Sequence, residues 1–472
     1  MQAREFRLSS NDSGNLLTST LPGAGLPLRE ATVAAPKKRD ALGLGLAALT
    51  WLAGSRTIDR IGLRKPVQNL VTAGTRNGFR VAGAAGRSFK SARALGKPAR
   101  LAPAESTGLF DLTPSEDQQM IVETVTGFAA EQLRPAAADA DAKLAAPEGL
   151  LTRAAELGLS LIGIPEELGG VGENRSVVTG ALIAEALAHG DLGLAVAVLA
   201  PSAVSTSLVL WGDEQQQADY LPAFAGESVP AAAFALQERT PLFDPVKPAT
   251  KARRTPNGYR LDGVKSLVPR AAAAELFVVS AELDGRGPAL FIVESGTAGV
   301  TIEAEPAMGL RGAATGKLHL DKVSLPAGAL LGGGKAEVVT EAVRLSRLGW
   351  AALAAGTAKA VLDYVVPYVN ERTAFGEPVS HRQAVAFSIA DMAIELEGLR
   401  LVTLRAAARA EQGKPYAREV ALARKLAVDK GMQIGSAGVQ LLGGHGFVKD
   451  HPVERWYRDL RAIGVLEGAV LL

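Results

Sequence analysis

The sequence predicts an α+β protein of several domains: an all-helical segment, a β segment, then a second all-helical segment. Three observations carry this. The chain has 472 residues, too many for one typical hydrophobic core. Its apolar residues keep helical spacing through residues 109–228, change to short strand-like runs over 229–335, and return to helical spacing over 336–472. No βαβ alternation and no fixed-period repeat appears, which argues against a Rossmann sheet and a solenoid.

Composition narrows the chemistry. Hydrophobic residues make up 47% and charged residues 21%, as in a folded globular protein. The net charge of +2 gives no overall basic field for nucleic acid. There is no cysteine, so disulfides, thiolate nucleophiles and cysteine-based metal sites are excluded. The five histidines, at 189, 319, 381, 445 and 451, never fall at metal-ligand spacing on one helix. A cytoplasmic protein without a metal is the expectation.

Residues 1–108 form an extension of different character. The first forty are rich in Ser, Pro, Gly and Ala and lack the apolar content of a core. Lys37-Lys38-Arg39 precedes an apolar run from Ala41 to Gly54, too short to span a bilayer and too far from Met1 for an ordinary signal peptide. The charges from Arg56 to Arg100 are basic apart from Asp59. Two readings of residues 41–100 stay open: peripheral contact with an anionic membrane at its inner face, or an arm packed on protein.

In residues 109–228, Leu112-Thr-Pro-Ser-Glu116 reads as a helix start, with a hydroxyl cap ahead of acids. Ile121, Val122, Val125 and Phe128 continue it at helical spacing. Val178 to Val198 is apolar and helical, with a break at Gly190 to Gly193. In residues 229–335, the runs 258–263, 276–280, 289–293, 300–302 and 317–321 are strand-like and bounded by Gly, Pro and Asp. In residues 336–472, Val338–Tyr368, His381–Gln412 and Ala417–Gly443 read as long helices.

Three segments near the end carry chemistry. They are Gln440-Leu-Leu-Gly-Gly-His-Gly-Phe447, Pro452-Val-Glu-Arg-Trp-Tyr-Arg-Asp459 and Leu466-Glu467-Gly468. Adjacent glycines let backbone amides approach a phosphate. Glu467 stands among Val465, Leu466, Ala469 and Val470, and a carboxylate in an apolar setting has a raised pKa and suits a base. A fourth segment, Arg372-Thr-Ala-Phe375-Gly376-Glu-Pro378, opens with a guanidinium, which is always charged and grips a diphosphate in two-pronged fashion.

In this order the segments resemble the acyl-CoA dehydrogenases, from about residue 109 to the end. The resemblance implies an acyl-CoA dehydrogenase-like fold of N-terminal helical domain, middle β domain and C-terminal helical bundle. It implies FAD-dependent α,β-dehydrogenation of an acyl-CoA thioester to the trans-2-enoyl-CoA. Glu467 would take the α-proton as hydride leaves to flavin N5. The base's own N–H and the flavin ribityl would hold the thioester carbonyl. FAD contacts would come from Gln237, Arg372, Phe375, Gln383, Gln440, Gly443 and Gly444, several of them across a subunit interface. Arg347 and Gly468 would bind substrate. The spot where some relatives carry their base is Ser346. Electron-transferring flavoprotein would accept the electrons. A homodimer or homotetramer is implied, with pairing to a related chain open.

The sequence departs from the family in the middle domain. Where relatives read Thr-Glu-Pro-x-Ala-Gly-Ser-Asp, this chain reads Gln237-Glu-Arg-Thr-Pro-Leu-Phe-Asp244. Where they read Lys-x-Trp-Ile-Thr, it reads Lys265-Ser-Leu-Val-Pro269. These changes keep two alternatives in view: a non-catalytic or half-site subunit of a heteromeric enzyme, and a flavin oxidase or monooxygenase on the same fold.

Overall fold

Ser115 accepts a hydrogen bond from the Gln118 N–H, and the Gln118 side chain accepts one from the Ser115 N–H. This capping box opens helix α1 (Glu116–Phe128) in the computed structural model, which describes residues 112–170, 175–226 and 228–472. The expectations for residues 1–108 lie outside the described residues. One π-helical stretch leads from α1 into α2 (Arg134–Lys143), and α3 (Glu148–Glu156) follows. The glycine break appears between α4 (Val177–Gly190) and α5 (Leu192–Trp211). Asp191 makes the junction, its Oδ1 accepting from the Leu194 N–H at 3.0 Å. Gly190 is required there, since a Cβ would lie 2.7 Å from the Ala129 carbonyl oxygen. Helix α5 is apolar on every side and long enough to cross a membrane, but 89% of its apolar window is buried, as in a central core helix. Helix α6 (Glu214–Phe224) closes the block, capped by Asp213.

The middle of the chain forms an eight-stranded sheet: β1 (Ala232–Ala235), β2 (Lys251–Thr255), β3 (Gly258–Val268), β4 (Leu276–Leu283), β5 (Gly287–Glu294), β6 (Val300–Ala304), β7 (Gly316–Pro326) and β8 (Leu330–Leu331). The order is β6-β7-β3-β2-β4-β5-β8, with β1 parallel on β4. All five strand-like runs of the sequence lie in strands. β1, β2 and β8 are additional: β1 is buried at every position and does not alternate, β2 is mostly charged, and β8 is two residues long. Alternation along the central strands separates two cores. Phe234, Val278 and Ile292 join the helical core, while Ala235, Phe277, Val279 and Phe291 form one within the sheet layer. Lys265 crosses the interior to Glu238 at 2.6 Å, the side chains 0% and 2% exposed. Burial holds the Lys265 amine below its usual range against the pull of Glu238.

Helix α7 (Ala336–Glu371) follows, then a hairpin of β9 (Thr373–Ala374) and β10 (Glu377–Pro378), then α8 (Gln383–Glu411), α9 (Ala417–Leu442) and α10 (Val453–Ala462). Gly356 of α7 lets the helix touch α4, since a Cβ would meet the Glu185 carbonyl oxygen at 2.0 Å. Helix α10 is tied down by charge. Arg455 donates to Asp191 at 2.9 Å, Arg458 to Asp141 at 2.8 Å, and Asp459 accepts from the Leu310 N–H at 2.6 Å. The Arg-x-x-Arg-Asp segment therefore clamps α10 to the helical block and to the loop before β7. Burial and the nearby Asp191 charge push the Asp459 carboxyl up to about 7.

Candidate active site

Three elements converge on Glu467: the end of β1, the first third of α7 and the middle of α9. After α10 the chain runs back along β1. The Ala469 N–H donates to the Phe234 carbonyl at 3.1 Å, and Gly468 packs on Leu236 so closely that a Cβ would lie 2.6 Å away. Gly468 has φ +78°, so the position suits glycine. Its carbonyl accepts from Ser346 Oγ at 2.9 Å and from Trp350 Nε1 at 2.8 Å. The Ser346 spot is thus a structural donor to the segment that carries Glu467.

Glu467 is 9% exposed. Arg347 reaches its carboxylate with Nε at 3.0 Å from both oxygens and Nη2 at 2.7 Å from Oε1. Arg424 lies 3.7 Å from Oε1 and donates to the Leu466 carbonyl at 2.6 Å. The carboxylate is therefore paired with guanidiniums, and the apolar surroundings expected from its sequence neighbours are corrected. Leu466 and Val470 sit in the core, while α7 and α9 supply the carboxylate's partners. Arg347, read as a substrate contact, is bound to Glu467. The Gln237 side chain, read as a cofactor contact, accepts from the Glu467 N–H at 2.9 Å. Arg424 was not singled out by sequence. It lies within a helix, and nothing in the helical spacing sets it apart from a surface arginine.

A second set of residues gathers elsewhere. A groove of about 640 Å³ is lined by Arg372, Gln440, Gly443 and Gly444 together with Tyr368 and His445. Arg372 ends α7 with its side chain exposed. The nearby Glu377 pairs with Arg382 at 3.1 Å. Gly443 has φ +61°, and a Cβ at Gly443 or Gly444 would meet nothing within 4 Å. Gln383 opens α8 beside the groove-lining Ala384, outside the lining itself. Phe375 is 97% exposed at the tip of the β9–β10 hairpin. Phe375 and Gly376 both have positive φ, as a two-residue type I′ turn requires.

Models of the acyl-CoA dehydrogenase N-terminal, middle and C-terminal domains match residues 115–228, 233–323 and 335–470. The chain belongs to the acyl-CoA dehydrogenase family. It is an oxidoreductase of the class that acts on CH–CH groups, and the cofactor of the family is FAD. It is 33% identical over 362 residues to human mitochondrial short-chain specific acyl-CoA dehydrogenase, covering 75% of this chain and 87% of that protein. Butyryl-CoA dehydrogenase from Megasphaera elsdenii superposes with TM-score 0.71 at 30% identity, over 76% of this chain and 96% of that one. A glutaryl-CoA dehydrogenase from Mycobacterium smegmatis, solved in complex with FADH2, gives TM-score 0.68 at 25% identity, over 74% and 90%.

The groove fits the diphosphate end of FAD. It offers an exposed guanidinium without an ion-pair partner among the described residues, a glutamine, and two glycines with open space above them. Arg347 lies in α7 and Arg372 caps its C-terminus 25 positions on, about 37 Å along the axis at 1.5 Å per residue. That is farther than an extended dinucleotide reaches.

Proposed function

We propose that this protein carries out FAD-dependent α,β-dehydrogenation of an acyl-CoA thioester, with Glu467 as the base. The observation that carries this is the buried Glu467 carboxylate, with α7, α9 and β1 all converging on its residue. An α-proton leaves readily only if the charge that develops on the thioester oxygen meets a donor. The donor nearest the carboxylate is the residue's own N–H. Glu467 thus offers a proton acceptor and a hydrogen-bond donor to adjacent atoms of one substrate. Arg347 and Arg424 keep the carboxylate in place until substrate enters. Bound FAD supplies the two-electron acceptor for the β-hydrogen, and electron-transferring flavoprotein is the onward acceptor.

The 37 Å offset along α7 supports an oligomer in which Arg372, Gln440, Gly443 and Gly444 of one chain hold the diphosphate of FAD serving Glu467 of another. Gln383 and Phe375, beside the groove, belong to the same cofactor surface. A homodimer or homotetramer meets this requirement. A half-site subunit paired with a related chain is the second reading, favoured by the Gln237 contact, which covers the Glu467 N–H. The visible spectrum separates the two. A flavin band that bleaches anaerobically with butyryl-CoA or octanoyl-CoA supports catalysis; a colourless protein supports the half-site subunit.

For location, the apolar and basic residues 41–100 support a cytoplasmic protein held at the inner membrane face, at roughly 1 kcal/mol per basic residue near an anionic surface. Co-sedimentation with anionic vesicles that survives deletion of residues 1–105 would sink this assignment.

A further inference from the structure

The segment 467–469 lies along the end of β1, and its contacts change character at Glu467. The Ala469 N–H is met by a backbone carbonyl, that of Phe234. The Glu467 N–H is met by a side chain, the amide oxygen of Gln237 at 2.9 Å. Gln237 is itself held in place, buried and with its own carbonyl accepting from the Ser266 N–H at 3.0 Å. A backbone partner could leave only if β1 moved. A side-chain amide leaves by rotation about its own torsions, which is fast and local.

We propose that Gln237 gates the site. Its side chain caps the Glu467 N–H and must swing away before a thioester oxygen can take that donor. This rests on the reading of Glu467 as the base. It makes Gln237 a positioning residue that sets the affinity for the thioester. A net neutral hydrogen bond is modest, so opening the gate costs roughly two- to tenfold in affinity. That is enough to discriminate between ligands. A CoA thioester offers a carbonyl that repays the lost bond, whereas free CoA offers none at this point.

The test measures dissociation constants for butyryl-CoA and octanoyl-CoA by calorimetry on the full chain as purified, in a Glu467→Gln background that allows no turnover. Gln237→Met keeps length and volume but accepts a hydrogen bond only weakly, so it should tighten thioester binding by about two- to tenfold. It should leave free CoA binding unchanged. Gln237→Glu offers a charged and stronger acceptor, so it should weaken thioester binding. A merely structural role would weaken binding in both variants or change neither. Thioester binding that is unchanged or weaker in Gln237→Met overturns the gate, as does an absence of thioester binding in every variant. Flavin reduction that persists in Glu467→Gln removes the base assignment instead, and the affinity comparison still judges the gate.

Discussion

Arg347 holds Glu467 by both oxygens, 120 positions away in sequence, with Nη2 to Oε1 at 2.7 Å. The pair joins the first third of α7 to the segment after α10. It keeps a buried carboxylate oriented beside β1, with Arg424 as a second guanidinium at 3.7 Å. Replacing the acid by its amide keeps the side chain's length and volume, leaves Arg347 one oxygen to hold, and removes the proton acceptor. Glu467→Gln is expected to retain FAD and to lose acyl-CoA-driven flavin reduction by about a hundred- to ten-thousand-fold. Anaerobic stopped-flow bleaching checks this, and bleaching at the wild-type rate would remove Glu467 from the reaction.

Arg372 stands at the other end of the same helix, exposed over the glycine pair. Arg372→Ala is expected to lower flavin content and loosen the oligomer together, because the proposed function has it grip a cofactor shared between chains. The ratio of flavin to protein absorbance and the mass by light scattering read both effects. Full flavin with an unchanged mass would show that the groove is not the diphosphate site.

The buried pair of Lys265 and Glu238 is expected to be costly to break from one side. Glu238→Gln leaves the ammonium with neutral acceptors only, the new amide oxygen, Ser280 and the Leu236 carbonyl, at a cost of about 3–5 kcal/mol. The folded Lys265 amine already sits below its unfolded value, so the native state sheds its proton first as pH rises. The variant should therefore recover stability toward high pH. Adding Lys265→Met should recover most of the loss at neutral pH. Urea melts at two pH values measure this; a destabilisation that ignores both pH and the second substitution would contradict it.

Asp459 gives a pH signature of opposite sign. Its folded value is raised to about 7, above the unfolded carboxylate range. The native state therefore holds a proton that the unfolded chain has released. The resulting stabilisation is full below about pH 4 and is lost as pH rises through about 7, with a slope of up to roughly 1.4 kcal/mol per pH unit. Asp459→Asn keeps an acceptor for the Leu310 N–H and cannot titrate. The difference in stability between wild type and variant should change across this window. Parallel stability curves from pH 4 to 8 would rule the titration out.

Local signals in the chain determined much of this protein. The Ser115 cap, the break at Gly190 and the runs in β3 to β7 are short-range features, settled by periods of 3.6 and 2 and by glycine or cap chemistry. The order of helices, sheet and helices follows from them. That Arg372, Gln440 and Gly443–Gly444 belong together was implied by the resemblance to the family, and they line one groove. The tertiary structure decided what a one-dimensional pattern does not encode. β1 was illegible because a strand buried on both faces does not alternate. Arg424 was illegible because a helix does not reveal which of its arginines will meet a distant carboxylate. The setting of Glu467 depended on residues 43, 120 and 230 positions away, so its apolar neighbours in sequence misjudged the charge around it. Electrostatics acts through space over a few ångströms, and only folding brings α7, α9 and β1 within that distance of one acid.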